Sequence, residues 1–141
     1  MGTRAILFIA SLLLCQTAFA AQTVVTHETE RYFYKDGLME KYDGQFEYTY
    51  FVDLARGTLT RTRIYDYQSK KITPDETVYR VEKQLDSYPT KSPNYNLPPM
   101  IKATAQSGGD KVELLVIEED YVHSALSDGR QLVLSRAKRL K

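Results

Sequence analysis

Residues 44–67 read GQFEYTYFVDLARGTLTRTRIYDY, and the fold class turns on them. Phe46, Tyr48, Tyr50, Val52 and Leu54 recur at every second position, with Glu47, Thr49 and Asp53 among the residues between them. A period of two belongs to a half-buried β-strand, whose successive side chains point to opposite faces. The second arm, Thr58 to Tyr67, is dense in Thr, Ile and Tyr, which suit a pleated surface. Between the arms, Ala55-Arg56-Gly57 predicts a three-residue hairpin loop in which Gly57 takes the positive φ. That turn sets Leu54 opposite Thr58, Val52 opposite Thr60, Tyr50 opposite Thr62 and Tyr48 opposite Ile64. Phe51, Arg61, Arg63 and Tyr65 then share the other face. A two-residue Arg56-Gly57 turn would slip the register by one and move Arg61 and Arg63 onto the aromatic face, but it needs Arg at positive φ, which is unfavourable.

Upstream of this hairpin, Thr23 to Lys35 reads as a first strand, broken at Asp36-Gly37. Leu38 to Tyr42 could make one or two helical turns before Asp43-Gly44. Downstream, Thr73-Pro74-Asp75-Glu76 has the form of a helix start, while Thr77 to Val81 is rich in strand formers. The expectation is one helical turn at Pro74 leading into a fourth strand. Residues 87–100 hold Pro89, Pro93, Pro98 and Pro99, so this piece is an extended crossing and not a central strand.

Four more strands follow the crossing. Met100 to Gln106 and Lys111 to Ile117 flank Ser107-Gly108-Gly109-Asp110, and a two-residue Gly-Gly turn would put Ile101, Ala103, Ala105, Val112, Leu114 and Val116 on one face. Tyr121 to Ser127 and Gln131 to Ala137 are joined at Asp128-Gly129, with Ala125 expected to face Leu132 and His123 to face Leu134. Eight short strands linked mostly by tight turns describe an all-β antiparallel meander with at most short helical turns. It closes either as an up-and-down barrel or as a strongly curved sheet. A barrel is preferred because it leaves no exposed edge.

The first twenty residues carry an address. Arg4, the apolar run Ala5 to Cys15 and the small residues of Ala18-Phe19-Ala20 have the layout of a secretory signal peptide over 1–20, leaving 21–141 as a single β domain without a transmembrane anchor. Cys15, the one cysteine of the chain, departs with it, so the mature domain has no disulfide and relies on its core. This leans toward a secreted protein of the bacterial periplasm or cell surface. Losing Arg4 also balances the formal charge of +1, and no basic face is left to favour nucleic acid.

Chemistry is thinly supplied. No Ser sits in a Gly-x-Ser-x-Gly elbow, and His123 and Ser124, as strand neighbours, point apart. With two histidines and no spaced ligand motif, no metal or cofactor is expected. Glu118-Glu119-Asp120 reads as a solvated corner more readily than as an acid-base pair. These absences point away from an enzyme. The lipocalin signature Gly-x-Trp is missing too, since the chain has no Trp, so the barrel is an architecture and not a family assignment. What stands out is eleven tyrosines. Tyr joins an apolar ring to a polar tip, which suits a ligand cavity or a protein contact. Two roles follow. In the first, a small apolar ligand lies in the barrel against Tyr48 and Tyr50, with Ala103 and Ala105 leaving room. In the second, a protein partner meets the outward face of Arg61, Arg63 and Tyr65 together with the Pro-rich crossing and its Tyr88 and Tyr95.

Overall fold

A computed structural model describes residues 20–85 and 97–141. Residues 1–19 of the expected signal peptide and the crossing's Tyr88 and Tyr95 lie outside the described residues. Nine strands follow in chain order: β1 (Gln22–Lys35), β2 (Leu38–Asp43), β3 (Phe46–Asp53), β4 (Thr58–Asp66), β5 (Lys71–Leu85), β6 (Met100–Ser107), β7 (Lys111–Glu118), β8 (Tyr121–Ser127) and β9 (Gln131–Leu140). Every neighbouring pair is antiparallel, and β1 also pairs with β9, so the sheet closes into a barrel. The barrel has eight strand positions because β2 and β3 take one position between them. The first half of β1 pairs with β3, from Gln22↔Val52 to His27↔Glu47, and its second half with β2, from Glu30↔Asp43 to Lys35↔Leu38. No helix occurs among the described residues, and none there is long and apolar enough to cross a membrane.

The step from β2 to β3 fixes a glycine. At Gly44 the chain passes so close to β1 that an added Cβ would stand 1.7 Å from the Glu28 carbonyl oxygen. The Gly44 amide donates to the Thr29 carbonyl there, at 3.3 Å. Opposite the same point, the β1–β9 ladder shifts register between Glu28 and Glu30, a bulge centred on Thr29. A bulge inserts one residue, so the alternation changes phase across it. As a result both Glu28 and Arg31 point into the barrel.

Two expected helical turns are strands. Leu38 to Tyr42 belongs to β2, because Asp36 and Gly37 both take positive φ, 51° and 78°, and form a two-residue hairpin turn that returns the chain along β1. Pro74 lies within β5, opposite Arg63 at the irregularity between Arg61 and Arg63, where a residue without an N–H is tolerated.

Three registers also differ from expectation. At the β3–β4 turn Gly57 does take positive φ, at 65°, and Tyr48↔Ile64 holds. However, Asp53 pairs with Thr58 and Val52 with Leu59, and the ladder recovers its phase only at a bulge at Thr62. Arg61 therefore lies opposite Tyr50 and points inward. Between β6 and β7 the loop has three residues, Ser107 pairing with Lys111, so β7 turns over. Its buried residues are Glu113, Leu115 and Ile117, while Val112 is exposed. Ile101, Ala103 and Ala105 face inward as expected. Between β8 and β9 the loop is longer than two residues. Ala125 pairs with Leu134 and His123 with Arg136.

The lumen is graded along its length. At the end where β1 begins, it holds a packed cluster of Val24, Val52, Leu59, Ile101, Ala103, Leu115, Ile117 and Val122. Leu97, near the end of the Pro-rich crossing, is buried in that cluster. Further along toward the β1–β2 hairpin, Glu28, Arg31, Tyr48, Arg61, Glu113 and Ser135 bring polar and charged groups into the lumen.

Candidate functional site

Glu28 is fully buried, yet its carboxylate is surrounded by donors. Oε1 accepts the Gln45 amide at 3.0 Å. Oε2 accepts Arg31 Nη2 at 2.8 Å, Ser135 Oγ at 2.8 Å and the Tyr48 hydroxyl at 3.3 Å. Arg31 Nη2 also donates to Tyr48 Oη at 2.7 Å, and its guanidinium carbon lies 4.3 Å over the Phe46 ring. A buried charge is tolerable when paired and hydrogen-bonded in this way. Both Glu28 and Arg31 point inward only because of the Thr29 bulge.

Arg61 is the centre of a second network. Its Nε donates to Asp75 Oδ2 at 2.8 Å, Nη1 to Glu113 Oε1 at 2.7 Å and Nη2 to Thr77 Oγ1 at 3.4 Å. The guanidinium carbon lies 5.6 Å from the Tyr48 ring centre and 5.9 Å from that of Tyr79, so Tyr48 touches both networks. Burial would raise the Asp75 carboxyl, but hydrogen bonds from Thr77 and Arg61 outweigh it and hold its pKa below the ordinary 3.8. Burial lifts the phenols of Tyr48, Tyr50 and Tyr79 well above their ordinary 10. Glu113 pushes Tyr79 further the same way, while the Tyr79 hydroxyl itself is buried with no hydrogen-bond partner among the described residues.

A hollow of about 510 Å³ opens at the barrel mouth, beneath the β1–β2 hairpin. Arg31, Phe33 and Lys35 of β1 line it, together with Leu38, Glu40 and Tyr42 of β2 and Gln131 of β9. The ladder explains this set: Phe33 pairs with Glu40, Lys35 with Leu38 and Arg31 with Tyr42, so these residues share the inner face of the hairpin. Phe33 and Tyr42 meet edge to face at 5.2 Å, and Tyr42 Oη donates to Glu40 Oε2 at 2.5 Å. β2 is exposed along its whole length, Leu38 to 69%. An apolar side chain so open, facing a hollow of ligand size, makes the mouth a candidate site.

Of the residues singled out in the sequence, Tyr48, Tyr50 and Arg61 meet inside the barrel. Arg63 and Tyr65 remain outside with Phe51. There Arg63 pairs with Glu47 at 2.8 Å, Tyr67 donates to Glu47 at 3.0 Å, and Tyr65 and Tyr67 stack edge to face. Ala103 and Ala105 are both buried in the cluster that contains Tyr50 and Tyr79, and Ala105 also lines a hollow of about 630 Å³ with Thr104 and Val112. Sequence reading missed Glu28, Glu113 and the whole mouth. The Asp36-Gly37 pair, a strong hairpin signal ahead of Leu38 and Tyr42, was the clue to the mouth.

Among the described residues, no group of three or more His, Cys, Asp or Glu is placed to hold a metal ion. His123 is a strand residue whose Nε2 lies 3.4 Å from Glu118. Compared with protein-family models, curated proteins and solved structures, the chain matches none.

Proposed function

We propose that the protein is a non-enzymatic binding barrel, exported by its N-terminal segment, that takes a small and largely apolar ligand at its mouth. The observation that carries this reading is the hollow of about 510 Å³ walled by Phe33, Leu38 and Tyr42, in a barrel whose deeper lumen is filled by its own side chains. Small-molecule sites are concave, mostly apolar and of this size, with a few polar groups for orientation. The ligand sits against the β1–β2 hairpin and not between Tyr48 and Tyr50, which are committed to packing and to the ion networks.

A second reading keeps the outer face of β3 and β4 as a protein contact. Phe51 is 42% exposed beside the Arg63, Tyr65 and Tyr67 cluster, and Tyr and Arg are favoured at interfaces. This face loses Arg61, so the mouth is preferred.

The test is native mass spectrometry of protein purified from its own host. The expected spectrum shows a bound small molecule that Leu38→Asn loses. Because Leu38 is exposed, that variant keeps its melting temperature. A ligand-free wild type, or a variant that retains the adduct, would overturn the assignment.

A further inference from the structure

We infer that the ligand of the mouth is an organic cation, an amine or quaternary ammonium carried on an apolar body. This inference rests on the reading of the mouth as a binding site. The hollow is lined by two cations, Arg31 and Lys35, and three carboxylates, Asp36, Glu40 and Asp43. Arg31 is offset by its own partner: its Nε and Nη2 bond to Glu28, whose buried carboxylate balances its charge. Lys35 is left against three acids, so the mouth presents a net negative field to anything entering.

Aromatic placement agrees with the charge. Tyr42 Oη is hydrogen-bonded to Glu40, which fixes a carboxylate beside a half-exposed ring, and Phe33 closes the corner at 81° to that ring. The Arg31 guanidinium already lies 5.8 Å over the Phe33 ring, so the Tyr42 ring beside the Glu40 carboxylate is the surrounding an ammonium group selects, since ring face and acid both attract it. A fatty acid or other anion would meet Glu40 and Asp43 with only an exposed lysine to compensate. Leu38 on the inner face of the hairpin supplies the apolar contact for the body of the molecule. On the outer face an aromatic ring and a carboxylate are already taken by the chain's own cation: Lys41 lies over the Tyr32 ring and pairs with Glu30.

The test uses three probes of equal chain length, decyltrimethylammonium, decanoate and decanol, titrated below micelle formation into the full chain by calorimetry. The ammonium should bind at least about ten-fold more tightly than decanoate. In a Glu40→Gln, Asp43→Asn variant its Kd should rise by about ten-fold while decanol binding stays the same. Both substituted residues are exposed, so the variant folds, and decanol reports an intact mouth. If decanol and decanoate bind as well as the ammonium, or the variant leaves the ammonium Kd unchanged, the mouth stands as a site and the cation inference falls. If no probe binds, the mouth is not a ligand site, and both readings fall.

Discussion

Arg61 on β4 and Glu113 on β7 stand 52 residues apart in the chain, yet their side chains meet across the lumen at 2.7 Å. β5 and β6 separate the two strands, and their ladder runs only from Arg80↔Thr104 to Leu85↔Met100. Beyond it toward the mouth, where no ladder hydrogen bonds join β5 to β6, Arg61 holds Asp75 of β5 and Glu113 of β7 together. The ion pair spans the place where the barrel wall is least laced.

Removing one partner of this network leaves a buried charge without compensation. Arg61→Ala should cost about 3 kcal/mol or more in urea unfolding. An Arg61→Met, Asp75→Asn, Glu113→Leu triple variant should recover most of that loss, because apolar replacement of a buried ion cluster is often neutral. A triple variant as unstable as Arg61→Ala would show that the cluster acts through geometry and not through charge.

Gly44 has no room for a side chain. Gly44→Ala puts a Cβ against the Glu28 carbonyl, and it is backbone that would have to move. A loss of at least about 2 kcal/mol is expected. Ser107→Ala, at an exposed strand end, should stay within about 0.5 kcal/mol of wild type. Equal melting temperatures for the two variants would contradict the close crossing at the β2–β3 step.

Asp75 predicts an acid limb. Its folded pKa lies below the ordinary 3.8, so its contribution to stability is present above 3.8 and is lost as pH falls through the folded value. Urea midpoints of wild type and Asp75→Asn should therefore differ at neutral pH and converge below pH 3.8. A constant difference across that range would mean the carboxyl titrates alike in both states.

Tyr79 predicts an alkaline limb. A phenol whose folded pKa is raised stabilises the fold below the unfolded value of 10, and that contribution disappears as pH climbs past it. Since its hydroxyl has no hydrogen-bond partner among the described residues, Tyr79→Phe should be neutral or slightly stabilising at pH 7 and should shift alkaline unfolding to higher pH. Circular dichroism against pH reads both effects. An unchanged alkaline midpoint would count against a buried, un-ionised Tyr79.

Alternation made the barrel legible. Phe46, Tyr48, Tyr50 and Val52, or Ile101, Ala103 and Ala105, declare their faces without reference to anything distant. Register was harder to read, for a reason that Arg61 and Glu113 share. Each sits on an inward face, against the rule that charge points out. Each was assigned to the surface by a turn geometry one residue too short, and a slip of one turns over every side chain. What repays their burial is the other partner, on a strand that local periodicity does not reach. The same holds for Glu28 and Arg31, whose shared inward direction depends on a bulge that leaves no mark in the alternation. The mouth went unread for a simpler reason: Leu38 to Tyr42 is short, and a strand exposed on both faces has no periodic signal at all.

The β1–β9 ladder has a consequence for how the chain can fold. Glu28 receives one of its two hydroxyl donors from Ser135, 107 residues later, so the donor shell of its carboxylate is complete only when the last strand arrives. Synthesis delivers about 5–20 residues each second. For several seconds, then, β1 exists with one edge unclosed and with its acid, its arginine and its apolar residues still in water. The first strand to emerge is among the last to be completed, and whatever escorts the nascent chain must keep that edge from a wrong partner until Gln131–Leu140 comes into reach.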